Sequence, residues 1–213
     1  MMKKIIIALI MLALPAVAQA ETYSWIKGGA SYWGTFDACF PGTCYENGEI
    51  ETSNDFFVQI SPVAVRKKLS RRFGLRMEPY AGYAERDLDY NARGVRFSQA
   101  EVKEIQIGGN LFLDYQITPG IAVYMGPTAG VEFSQVEGKF TSGRGSMLAN
   151  TDMTYNFYPG AEAGAEYRWN NLAIGGFWRW TNPDTYQDQT YQVRYDYDRG
   201  HQIGGSLKFY WGN

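Results

Sequence analysis

Ten charged side chains recur at alternate positions inside otherwise apolar stretches: Lys27, Arg76, Glu78, Glu104, Glu132, Glu162, Glu166, Arg168, Arg179 and Lys208. Paired carboxylates are the equipment of glycosidases and of acid–base catalysis. Five carboxylates set among five cations describe something else, a mutually neutralised interior, because charge shut away from water is costly unless paired. His201 is the single histidine, and a Ser-His-acid hydrolase would have to use it. No orienting motif surrounds it, so the expectation is no catalytic set, no metal and no cofactor. Cys39-Phe40-Pro41-Gly42-Thr43-Cys44 holds both cysteines around a Pro-Gly turn. In an oxidising compartment this spacing predicts a disulfide; a metal pair is the competing reading, without a His or second Cys pair nearby.

The elements that carry these residues alternate with period two. Leu75, Met77, Pro79, Ala81 and Tyr83 oppose Arg76, Glu78, Tyr80 and Gly82. The pattern recurs over 104–115, 121–133, 155–168, 172–180 and 202–211, with two less tidy runs, Tyr23 to Phe36 and Phe56 to Arg66. In the second of these, Val58, Ile60, Pro62 and Ala64 are expected on one face. Eight strands follow, each long enough for a tilted membrane crossing. Their connections alternate. Lys67 to Arg72, Thr118 to Gly120 and Trp169 to Asn171 are tight, while Asp37 to Asp55, Asp87 to Ala100, Glu137 to Asp152 and Thr181 to Gly200 are expected as long loops at the opposite end. An eight-stranded antiparallel up-and-down meander of this kind closes into a barrel, which removes its unpaired edges.

The chain of 213 residues is 45% hydrophobic and 16% aromatic, with 24 glycines and a formal net charge of −2, so disorder and a basic nucleic-acid surface are both excluded. Met1 to Ala20 has a basic start at Lys3 and Lys4, an apolar middle and Ala18-Gln19-Ala20 at its end, the three parts of a secretory leader. Its apolar run falls short of the ~20 residues a spanning helix needs. The domain expectation is a leader over 1–20 and a transmembrane barrel over 21–213. Aromatics near strand ends and a face mixing glycine with Glu and Arg place the apolar face against lipid and the charges inside. A soluble barrel with the faces exchanged is the alternative.

The last strand carries Gln202-x-Gly204-x-x-Leu207-x-Phe209, which resembles the signal read by the outer-membrane assembly machinery, although Tyr210 to Asn213 extend past it. Glu78-Pro79-Tyr80-Ala81-Gly82-Tyr83 and Gly126-Pro127-Thr128-Ala129-Gly130-Val131 look like the P-Y-x-G-x-G phrase of the small opacity-type outer-membrane β-barrel family. The resemblance implies an eight-stranded barrel in the outer membrane of a Gram-negative bacterium and no single function. It implies as partners outer-membrane lipids, lipopolysaccharide and, during biogenesis, the assembly machinery.

Three further expectations concern function. An eight-strand barrel has just enough interior for side chains, so a filled core is expected over an ion path. Pro62, Pro79, Pro127 and Pro159 fall on the lipid face and each deletes a ladder donor, which marks either bulges or a lateral opening. Tyr45, Tyr90, Phe97, Tyr186, Tyr191, Tyr195 and Tyr197 lie in the outer connections, a composition suited to recognition. Together these give a monomeric, non-enzymatic surface barrel serving envelope structure or adhesion. Transport of a small or apolar solute is the alternative, and lipid A modification a more distant one.

Overall fold

Strand periodicity puts successive side chains on opposite faces, and in this chain one face is uniformly apolar. A computed structural model describes residues 20–33, 35–40, 43–52, 55–92, 95–142, 145–150, 153–181, 185–188, 193–197 and 200–212, with side chains for 20–31, 55–85, 101–135, 153–181 and 200–211. The expected leader lies outside the described residues except for Ala20. Every described element is a strand: β1 (Glu21–Trp33), β2 (Thr35–Phe40), β3 (Thr43–Thr52), β4 (Phe56–Lys68), β5 (Phe73–Ala92), β6 (Val95–Gln116), β7 (Ile121–Ser142), β8 (Gly145–Asn150), β9 (Thr154–Trp169), β10 (Leu172–Thr181), β11 (Thr185–Asp188), β12 (Val193–Tyr197) and β13 (Gly200–Gly212). No described helix is long and apolar enough to cross a membrane. Eight of the strands close a cylinder in the order β1-β4-β5-β6-β7-β9-β10-β13, with β13 paired back onto β1 and every pair antiparallel.

The faces are inverted relative to a water-soluble protein. Ile60, Met77, Ile107, Met125, Ile174 and Ile203 stand more than half exposed on the outside, while Lys27, Arg76, Glu78, Arg179 and Lys208 are fully buried. So large an outward apolar band belongs against hydrocarbon. Aromatics fringe it at both ends, with Tyr167, Trp169, Phe209 and Trp211 at one rim and Phe56, Tyr83, Tyr155 and Trp178 toward the other.

The tight turns fall where expected. Leu69 to Arg72 joins β4 to β5, Ile117 to Gly120 joins β6 to β7, and Asn170-Asn171 joins β9 to β10. Asn170 takes a left-handed φ of 54°, a conformation Asn tolerates and a two-residue hairpin requires. The four outer connections differ from expectation. They are not loops over most of their length but paired β-structure. β5 and β6 stay paired as far as Ala92 and Val95, with a one-residue shift between Leu88 and Tyr90, β7 pairs with β8, and β2–β3 and β11–β12 form hairpins. The expected run from Tyr23 to Phe36 is likewise two elements, since Phe36 belongs to β2. These segments read as loops because Asp, Asn, Gly and Ser, the residues of turns, recur through them.

The face expected for β4 also needs correction. Ala64 is fully buried rather than lipid-facing, and Arg66 follows it inward. Tyr23 opposes Ala64 while Trp25 opposes Ser61, three steps on β4 against two on β1, so one extra residue sits at Ser61–Ala64. That bulge, centred on Pro62 and Val63, flips the phase of the remaining strand. Pro62 and Val63 both stay outward.

Inside, three tyrosines lie over glycines directly across the ladder: Tyr80 opposite Gly108, Tyr158 opposite Gly130, and Tyr124 opposite Gly164. A Cβ on Gly130 would come within 2.5 Å of the Tyr158 hydroxyl and 2.8 Å of the Ile107 carbonyl oxygen. The Tyr158 hydroxyl is itself held by that of Tyr80 at 2.6 Å, so neither ring tip is free to withdraw. Gly130→Val is expected to lower stability by about 2 kcal/mol or more through overpacking. Gly109→Val faces outward, where the nearest atom is 4.0 Å away, and is expected to be nearly neutral. Urea midpoints read from the folded-to-unfolded band shift on unheated gels compare the two.

Candidate functional site

The inward positions of seven of the eight barrel strands build one continuous chain of charge. Arg179 on β10 donates through Nε and Nη2 to Glu162 of β9 at 2.9 and 2.6 Å. Lys27 of β1 donates to Glu162 at 2.6 Å and to Glu78 of β5 at 3.1 Å. Lys208 of β13 meets Glu78 at 3.0 Å and Glu166 at 3.1 Å. Arg76 grips both oxygens of Glu166 at 2.8 and 2.7 Å and turns Nε to Asp114 at 3.2 Å. Arg66 then spans Asp114 and Glu21, and Arg168 and Lys68 close on Glu21 at the tight-turn end. Cation and carboxylate alternate throughout, so each charge between the ends at Arg179 and at Lys68 and Arg168 has opposite neighbours on both sides.

Neutral groups complete the shell. The Tyr23 hydroxyl donates to Glu78 at 2.7 Å. Arg179 Nη1 donates to Gln59, which donates in turn to Gln106. The Lys27 ammonium also sits 4.5 Å from the Trp25 ring centre and 5.1 and 5.4 Å from those of Phe112 and Phe177, an electrostatic contact with ring faces that strengthens once water is excluded.

Of the ten residues singled out in the sequence, Lys27, Arg76, Glu78, Glu162, Glu166, Arg179 and Lys208 meet in this cluster. Arg168 stands at its rim, stacked on Tyr210 with 3.8 Å from guanidinium carbon to ring centre. Glu104 and Glu132 are buried on the same inner face nearer the opposite end, where Glu104 accepts from Gln106 at 3.4 Å. Four participants escaped the sequence reading, one of them Lys68 in the turn itself. Asp114 already lay on the polar face of its strand and needed only a cation to qualify. Arg66 was hidden by the β4 bulge, which reverses its face. Glu21 stands at the very start of β1, where too little alternation precedes it to assign a side.

Acid–base chemistry finds little here. Glu78, Glu162 and Glu166 each hold two cations, so all three carboxylates are committed to ion pairs within the wall. His201 lies outside the barrel wall, stacked on Trp178 at 5.6 Å and 21°. Among the described residues no cluster of His, Cys, Asp and Glu is disposed to hold a metal. Cys39 and Cys44 are register partners across the β2–β3 hairpin, but their side chains lie outside the described residues, as do Pro41 and Gly42.

No family model matches the chain, and no curated protein matches it in sequence. Among solved structures, the outer membrane protease OmpT from Escherichia coli matches at 9% identity over 90% of this chain and 97% of that one, with a TM-score of 0.51. OprG from Pseudomonas aeruginosa aligns at 13% identity over 90% and 97%, with a TM-score of 0.47. Neisserial surface protein A aligns at 12% over 89% and 97%, with a TM-score of 0.46. At such identities the likeness concerns the fold alone.

Glu78→Gln removes the charge that Lys27 and Lys208 share while keeping the shape. The variant is expected to lose about 3 kcal/mol, because two buried ammonium groups are left with one carboxylate each. Urea unfolding of the detergent-solubilised protein, followed by tryptophan fluorescence, measures it. The closed antiparallel ladder, the outward apolar band and the charge-lined interior make the chain an eight-stranded β-barrel of the outer-membrane type.

Proposed function

We propose that this barrel is a non-enzymatic surface protein whose part beyond the membrane does the work of recognition, with the transmembrane part as a rigid plugged base. One contrast carries the reading. The interior is crossed by a chain of buried ion pairs and aromatic rings, whereas the outer connections are built into ordered sheet. β11-β12-β2-β3 join the extensions of β5, β6 and β7, and β8 follows β7. Cross-strand positions in that collar are occupied by Tyr186 opposite Tyr195, and Tyr90 opposite Phe97. Tyrosine-rich polar surface is suited to binding another surface, since large rigid rings give contact area at low entropy cost. Tyr191 lies outside the described residues.

The test replaces residues 35–52 and 185–197 by short Gly-Ser turns and scores attachment of expressing cells to epithelial monolayers, with heat-shifted mobility as the folding control. Loss of attachment with a folded barrel is the expected result. Unchanged attachment would remove the basis for the reading.

A second reading has its own observation. Between Ser61–Ala64 of β4 and Glu78–Tyr80 of β5 no ladder pair is formed, and Pro62 and Pro79 both lie in that stretch. The β6–β7 ladder similarly skips Leu111 and Phe112 opposite Gly126 and Pro127, and Pro159 lies one step past the last β9–β10 pair. Missing backbone bonds are where a wall could part for a small apolar solute. Uptake of such a solute by proteoliposomes, slowed when Pro79 is replaced by Ala, would favour transport over recognition. No uptake above empty liposomes would end it.

A further inference from the structure

Outside the ion chain, the described surface has one place where an apolar recess and unpaired positive charge adjoin. The turn from β4 to β5 carries Lys67, Lys68, Arg71 and Arg72, all exposed. Lys68 reaches Glu21 at 3.2 Å, but among the described residues no carboxylate pairs with Lys67, Arg71 or Arg72. The nearest acids are committed elsewhere: Glu21 to Arg66, Lys68 and Arg168, and Asp114 to Arg66 and Arg76. The other two tight turns, Ile117 to Gly120 and Asn170-Asn171, bear no charge, and Arg168 beside the second is paired with Glu21, so the unpaired positive charge of the three turns sits in one sector.

Arg72 is not loose in that sector. Its Nη1 donates to the Tyr115 hydroxyl at 2.9 Å, and its carbonyl accepts from the Gln116 amide at 2.7 Å. The Tyr115 ring in turn leans on Phe73, with centroids 5.1 Å apart. These two rings border an open groove of about 400 Å³ in the outer wall, continued by Leu113, Val123 and Met125 and floored by Ala163 and Gly164. The groove exists because β9 offers Ala163 and Ala165 opposite Met125 and Val123 of β7, small side chains beside large ones.

We propose that this sector binds an anionic glycerophospholipid, with one acyl chain in the groove over Ala163 and the headgroup phosphate on Arg72, Arg71 and Lys67. The chemistry fits at both ends. Guanidinium groups take phosphate oxygens in a fixed fork, and a small-floored apolar groove accepts a methylene chain between bulky walls. The hydrogen bond from Arg72 to Tyr115 ties the two halves together at the level where interfacial tyrosines meet headgroups. This site is independent of what the outer collar recognises.

The experiment is native mass spectrometry of the folded barrel in neutral detergent, titrated with dioleoyl phosphatidylglycerol or dioleoyl phosphatidylcholine. Because the glycerol lipid carries a net negative charge and the choline lipid none, the glycerol lipid is expected to be retained about tenfold or more over the choline lipid. In a K67Q/R71Q/R72Q variant the preference is expected to fall to near parity. Ala163→Phe, which fills the groove from the lipid side, is expected to lower retention of both lipids several-fold while leaving their ratio unchanged. Equal retention by the wild type, or an unaltered ratio in the triple variant, overturns the proposal. Displacement of the glycerol lipid by millimolar inorganic phosphate also overturns it, since the site would then be one for free phosphate. The wild-type comparison stands even if a variant fails to fold.

Discussion

A carboxylate sealed from water at Glu78 persists because Lys27, Lys208 and Tyr23 all donate to it. Without them its burial would cost several kcal/mol. Those donors come from β1 and β13, which meet only when the cylinder closes. Pairing of the buried charges and closure of the ladder are therefore one condition. Closure also satisfies the backbone, whose polar groups have no water to turn to inside hydrocarbon. The bulge in β4 belongs to the same condition, since without its extra residue Arg66 would point at lipid and Asp114 would lose the partner it holds at 2.7 Å.

The filled interior and the built-up exterior are complementary. Tyrosines seated over Gly108, Gly130 and Gly164 use the space that side chains at those positions would occupy, which brings the rings against the wall and the charges toward the axis. Such packing makes the transmembrane part stiff. Beyond it the same strands continue in paired β-structure and carry hairpins whose edges are shared with one another.

The prolines interrupt this regularity at the wall itself. Pro62 is accommodated by a bulge, so its missing donor has a structural explanation. Pro127 has none of that kind, because β6 and β7 keep register across the gap at Leu111 and Phe112. Gly126 beside it lies so near the Leu111 carbonyl oxygen that no Cβ fits, which keeps the two strands close although the bonds are absent. Close approach without hydrogen bonds is the feature that separates this seam from the rest of the wall.

Alternation determined from the sequence alone which residues face lipid, how many strands cross and which end carries the tight turns. Arg76 and Glu78, Glu162 and Glu166, Lys208 and Tyr210 were all assignable to the inside because a side-chain period of two leaves only two faces, and only one was apolar. What alternation cannot carry is register. That Lys208 meets Glu78, 130 residues away in the chain, follows from ring closure. That Ala64 and Arg66 turn inward follows from one inserted residue at Pro62. That 88–92, 95–100, 137–142 and 145–150 are paired strand rather than loop follows from the backbone of their neighbours. The sequence by itself therefore determined the faces and the crossings. The partners, the phase of β4 and the reach of the strands beyond the membrane were decided by tertiary structure, because each depends on which backbone lies alongside.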